Sequence, residues 1–182
     1  FVVVGDGTSE EVKRSTNGTV AWAVEKLKAE YFKSDPDEIL DIYLFKNNTS
    51  YRKYTKELFN DEPDTPYGYY SPKHRALIMN IATGGGTLVH EIVHPFVRKN
   101  VPNAPPWLNE GLGSLYEQSA ERAGHIVGLV NWRLNGLQAA LGKGIVPPFK
   151  AMMAQDDDAF YEGKYQNTNY AQARYLLFYL QE

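Results

Sequence analysis

The sequence predicts an α+β domain, and three observations carry that expectation. The chain has 182 residues, 43% of them hydrophobic, enough for one domain with a real core. Its first half holds short, alternating, β-rich segments. Its second half holds mostly segments of helical period, so strands come first and helices follow.

Taken in order, Phe1–Val4 reads as a short buried strand ended by Gly5-Asp6-Gly7. Val20, Ala23, Val24, Leu27 and Tyr31 recur at helical spacing and predict a helix over Thr19–Phe32, stopped by Asp35-Pro36-Asp37. Ile39–Phe45 alternates and predicts a strand, and Ser50–Phe59 a helix. After a polar loop at Asp61–Pro66, Tyr67–Ser71 and Ala76–Ile81 form two strands joined by a turn at Ser71–Arg75. The run "TGGGT" is a flexible approach to a helix carrying "LVHEIVH". Helices are then expected over Trp107–Gln118, Ile126–Leu141, Phe149–Met153 and Asn169–Leu180. The expected organisation is one domain, 1–182. A strand-rich lobe, 1–83, would form one wall of a cleft, and a helical lobe, 84–182, the other.

Composition excludes several function classes. Net charge is −3 and no Lys/Arg-rich run is present, which argues against a nucleic-acid partner. With no cysteine, disulfides and thiolate metal sites are ruled out, so any metal must be held by His and carboxylates. No signal peptide or apolar run of spanning length is present. The chain opens on "FVVVG" without Met and stops inside its last helix, which suggests an excised or processed piece. The absence of cysteine fits a secreted or periplasmic bacterial protein, and a cytoplasmic one as well. Oligomeric state is not legible.

The chemistry lies in "HEIVH". Residues four apart on an α-helix share a face, so His90 and His94 can chelate one ion. Glu91, on the neighbouring flank, can reach a water on that ion. A catalytic zinc commonly takes three protein ligands and keeps a fourth position open. Glu110, in "PPWLNEGLGSLYE" sixteen residues after His94, is the third candidate, brought in by a second helix packing antiparallel. Glu117, two turns further on, is a candidate partner for a ligand histidine. Each piece has a plainer reading alone. H-E-x-x-H arises by chance, and Glu110 could be a solvated helix carboxylate. Their combination favours a metal site.

"HEIVH" followed by "WLNEGLGSLYE" resembles the gluzincin metallopeptidases, the class of thermolysin and the aminopeptidase N group, and most of all the smaller peptidase MA-like members. The resemblance implies a thermolysin-like zincin domain with one Zn2+ per chain. His90, His94 and Glu110 would be the ligands, Glu91 the general base, and Glu117 an outer partner. "NYAQARYLLFYLQE" is similar to the segment that bears the transition-state tyrosine in that group, which falls on Tyr170. The hairpin before the metal helix resembles the substrate-binding hairpin of thermolysin-like domains, implying that Gly68, Tyr69 and Tyr70 form an edge strand over the cleft. Where thermolysin carries Asp four residues after its third ligand, this chain has Ser114.

The implied function is zinc-dependent hydrolysis of peptide or protein substrates, endo- or exopeptidase. The alternative is a peptidase-like binding or scaffold domain without catalysis. Pro95, directly after His94, predicts a helix that kinks or ends there, with the two histidines on its intact side.

Overall fold

A computed structural model describes residues 1–182. It is a mixed α+β fold, as the order of segments predicts. Four strands form one sheet in the order β1-β2-β4-β3, from β1 (Val2–Gly5), β2 (Asp41–Phe45), β3 (Gly68–Ser71) and β4 (Ala76–Asn80). β1, β2 and β4 run parallel, and β3 pairs antiparallel with β4 at the edge. Alternation sorts the side chains to two faces. Ile42, Leu44, Leu77 and Met79 pack towards the main core with α2 (Trp22–Glu30) and α4 (Gly86–Asn100). Tyr43, Phe45, Ala76 and Ile78 pack against Tyr51 and Phe59 of α3 (Asn48–Phe59).

The first helical stretch starts earlier than its apolar spacing predicts. α1 (Ser9–Ser15) buries no residue, so no hydrophobic period marks it. Its signal is the capping box of Thr8 and Glu11, in which each side chain bonds the other's backbone N–H. A π-helical turn, Thr16–Ala21, joins it to α2.

α4 runs through Pro95 to Asn100. Pro95 removes one backbone donor, but burial of Ile92, Val93, Phe96 and Val97 in the main core, on both sides of it in sequence, offsets the loss. α5 (Pro106–Tyr116) starts with proline in its first turn, where the missing N–H costs nothing. α5 packs most extensively on α9 (Gln166–Gln181) and on α4, with α6 (Arg133–Gly142) also against α9. α7 (Phe149–Met153) and α8 (Asp157–Tyr161) are short, and Asp156 caps α8.

The expected helix over Ile126–Leu141 is corrected. Ser119–Arg122 (β5) and His125–Gly128 (β6) form a hairpin, and only Arg133–Gly142 is helical. Ala123 and Gly124 both take positive φ, at 51° and 88°, which makes a tight two-residue hairpin turn. Gly128 then lies against Leu115, where a Cβ would fall 2.3 Å from its side chain. No helix is long and apolar enough to cross a membrane.

Candidate functional site

His90 and His94 lie one turn apart on α4 with ring centroids 4.8 Å apart. Glu110 reaches them from α5. Its Oε2 is 3.1 Å from His90 Nε2 and 3.9 Å from His94 Nε2. One ligand atom from each of the three residues lies within 4.8 Å of the others. Gly113 permits this approach of α5, since a Cβ there would sit 3.0 Å from the His90 ring.

The far side of each imidazole is also held. His90 Nδ1 is 3.1 Å from Glu117 Oε1, and His94 Nδ1 is 2.9 Å from Asn109 Oδ1. Both partners are acceptors, so each Nδ1 carries a proton. His94 Nε2 offers a lone pair inward, and His90 Nε2, which donates to Glu110 here, would give up its proton to a cation. The remaining oxygen of Glu110 accepts a hydrogen bond from the Tyr161 hydroxyl at 2.8 Å. Arg133 clamps Glu117 with two donors, Nε at 2.8 Å and Nη2 at 2.6 Å.

This set fits a single divalent ion. Zinc with N and O ligands about 2.0–2.1 Å away in a tetrahedron separates its donors by roughly 3.3 Å, and the observed 3.1 and 3.9 Å bracket that spacing. Glu110, Glu117 and a partly ionised Glu91 outnumber the one guanidinium, Arg133, that faces them, so the centre's charge favours a cation. His90, His94 and Glu110 could therefore hold a metal ion.

Electrostatics follow from burial and pairing. Burial opposes charge on His90, but its hydrogen bonds to Glu110 and Glu117 outweigh it and raise the pKa to about 10. Burial likewise opposes ionisation of Glu117, but the hydrogen bonds from His90 and Arg133 hold it down at about 2. Glu91 has only the Tyr70 backbone amide as a partner. Burial, reinforced by the charges of Glu110 and Glu117 and countered by His90, pushes it up to about 7. His94 is lowered by burial and by neighbouring His90.

His90, Glu91 and Glu117 line a cleft of about 1000 Å³, with His94 and Glu110 behind them. Gly68, Gly84, Glu91, Trp132, Arg133 and Tyr170 line it. The Tyr170 hydroxyl is kept protonated by burial first and by the charges of Glu110 and Glu91 next.

The expected edge strand divides. Asn80 N–H donates to Tyr67 O at 2.8 Å. In antiparallel alternation this turns Tyr69 inward to Ile78 and leaves the backbone groups of Gly68 and Tyr70 on the free edge. The Tyr70 amide acts on the Glu91 carboxylate. Tyr69 does not join the cleft, because its ring packs with the α3 cluster and its hydroxyl donates to Asp61. The Tyr70 ring lies beneath Arg98, beside Pro95, in a separate small groove. His74 packs on Phe59, and His125 is exposed and pairs with Glu30 at 2.6 Å, so neither joins the centre.

Sequence reasoning assigned no role to Asn109, Arg133 or Tyr161. Asn109 stood in view inside "WLNEG". Arg133 lies in a segment correctly read as helical but given no role, and Tyr161 in a segment read as no element.

Residues 81–182, more than half of the chain, match the family model described as "Protein of unknown function (DUF1570)". No curated protein matches the chain. The matched span holds every residue of the centre, from His90 to Tyr170, and the chain belongs to the DUF1570 family.

Proposed function

We propose that this chain is a zinc-dependent peptidase of the gluzincin type, built on a thermolysin-like arrangement and acting on peptide or protein substrates. One observation carries the reading. Three ligand atoms converge from His90, His94 and Glu110, each imidazole is fixed by an acceptor behind it, and Glu91 borders the same cleft with a raised pKa.

His90, His94 and Glu110 would hold a zinc ion, which would supply Lewis acidity to the site. Glu91, with its carboxyl poised at about 7, takes a proton from the attacking water and returns it to the leaving amine. The Tyr170 phenol, protonated at any working pH, donates a hydrogen bond to the developing oxyanion. Gly68 and the carbonyl of Tyr70 offer free backbone groups to an extended peptide, which lies along β3 as an added strand.

The test is zinc titration of the metal-stripped chain, followed by incubation with a mixed-sequence peptide library and mass spectrometry. Tight binding of one zinc with zinc-dependent cleavage is expected. Tight zinc binding without cleavage of peptides would favour the scaffold alternative, and no zinc binding would remove both the cofactor and the mechanism.

A further inference from the structure

Arg133 is the first residue of α6, yet its guanidinium touches three parts of the cleft. It grips both oxygens of Glu117 at 2.8 and 2.6 Å, in the fork geometry that suits a carboxylate. Glu117 in turn holds Nδ1 of His90 at 3.1 Å. The same guanidinium lies 5.5 Å from the centre of the Tyr170 ring and 4.4 Å from that of Trp132.

The group is itself well anchored. Its backbone N–H donates to Asn131 Oδ1 at 3.0 Å. Asn131 and the Tyr175 hydroxyl exchange hydrogen bonds at 3.1 and 3.2 Å, which ties this turn to α9, the helix that carries Tyr170. One side chain therefore spans the metal-ligand network on α4 and α5 and the tyrosine on α9.

We propose that Arg133 is a positioning residue that sets His90, through Glu117, and Tyr170 in one geometry, so that ligand orientation and oxyanion stabilisation depend on the same guanidinium. The inference rests on the peptidase reading above. Two physical roles for Arg133 predict opposite signs. As a mere positive charge beside a cation site it weakens metal binding, and its removal tightens it. As the brace of Glu117 it fixes the imidazole, and its removal loosens metal binding.

The experiment compares zinc affinity, by chelator competition, in wild type, Arg133→Met, Arg133→Lys and Glu117→Gln, with kcat and KM for a cleaved peptide. Arg133→Met should lose about 10–100-fold in zinc affinity. Arg133→Lys, which keeps the charge but not the fork, should lose part of that. The double variant Glu117→Gln/Arg133→Met should bind zinc no worse than Glu117→Gln alone, because the two act in series. At saturating zinc, Arg133→Met should lower kcat by roughly 10–100-fold with little change in KM. Should Arg133→Met fail to fold, Arg133→Lys carries the same test. Zinc binding in the Arg133 variants as tight as wild type, or tighter, overturns the proposal, as does an unchanged kcat. A wild-type chain that binds no zinc overturns the peptidase reading, and this inference falls with it.

Discussion

Asn109 Oδ1 lies 2.9 Å from His94 Nδ1, one residue before the candidate ligand Glu110. An amide oxygen only accepts, so it fixes the tautomer that leaves His94 Nε2 free for metal. A single turn of α5 thus supplies a ligand and the partner of another ligand. Asn109→Ala should lower zinc affinity by about 10–100-fold, measured by chelator competition. Wild-type affinity in that variant would show that the His94 contact does not set the tautomer.

Tyr161 acts on the other oxygen of Glu110, across 2.8 Å. Its hydroxyl leaves Oε2 as the atom facing both histidines. Tyr161→Phe should weaken zinc binding by about tenfold, at the low end for an outer partner, since Glu110 remains on its helix. Thermal unfolding should change by no more than about 1 kcal/mol, because the ring is partly exposed.

Gly86 starts α4 under the backbone of Glu117. A Cβ there would lie 2.2 Å from the Glu117 carbonyl oxygen, and backbone cannot swing aside as a side chain can. Gly86→Ala should therefore cost about 1–3 kcal/mol in a denaturant melt. It should also displace Glu117 from His90. An unshifted melt would mean that α4 and α5 sit further apart than described.

Tyr69 offers a test by pH. Its hydroxyl, with the Glu62 backbone N–H as a lesser cause, lowers the Asp61 carboxyl below its ordinary 3.8. A depressed carboxyl adds stability that is present above 3.8 and is lost as pH falls through the folded value. In Tyr69→Phe the Asp61 carboxyl should titrate nearer 3.8 by NMR, and the acid-side loss of stability tied to it should shrink. Hydrolysis should persist, because Tyr69 faces α3 rather than the cleft. A large loss of activity would put Tyr69 back among the substrate contacts.

The convergence of His90, His94 and Glu110 is legible because helical spacing and ligand chemistry are both local. His90 and His94 share a face by arithmetic, and "WLNEG" marks Glu110 on the next helix. Pro95 raised the prospect of a break, but a buried apolar face holds α4 together beyond it. The hairpin at Ser119–Gly128 is hidden because Ile126, Val127, Leu129 and Trp132 suit either period, and Ala123-Gly124 is a weak turn signal beside Asn-Gly or Asp-Gly. Arg133 stayed hidden for another reason: its partners are 16 residues away in Glu117 and further still in Tyr170. Tyr161 and Glu110 are 51 residues apart, and no local pattern announces such a pair. The split of the edge strand, with Tyr69 inward and Tyr70 towards Glu91, depended on a register that only pairing with β4 determines.

In the proposed mechanism Glu91 moves the proton while His90, His94 and Glu110 hold the metal. The most direct measurement is the single-turnover cleavage rate of zinc-loaded Glu91→Gln against zinc-loaded wild type, with zinc content determined on the same samples. The prediction is one zinc per chain in both and a rate at least about 10²-fold lower in the variant. Cleavage by Glu91→Gln at the wild-type rate, with zinc still bound, would contradict it.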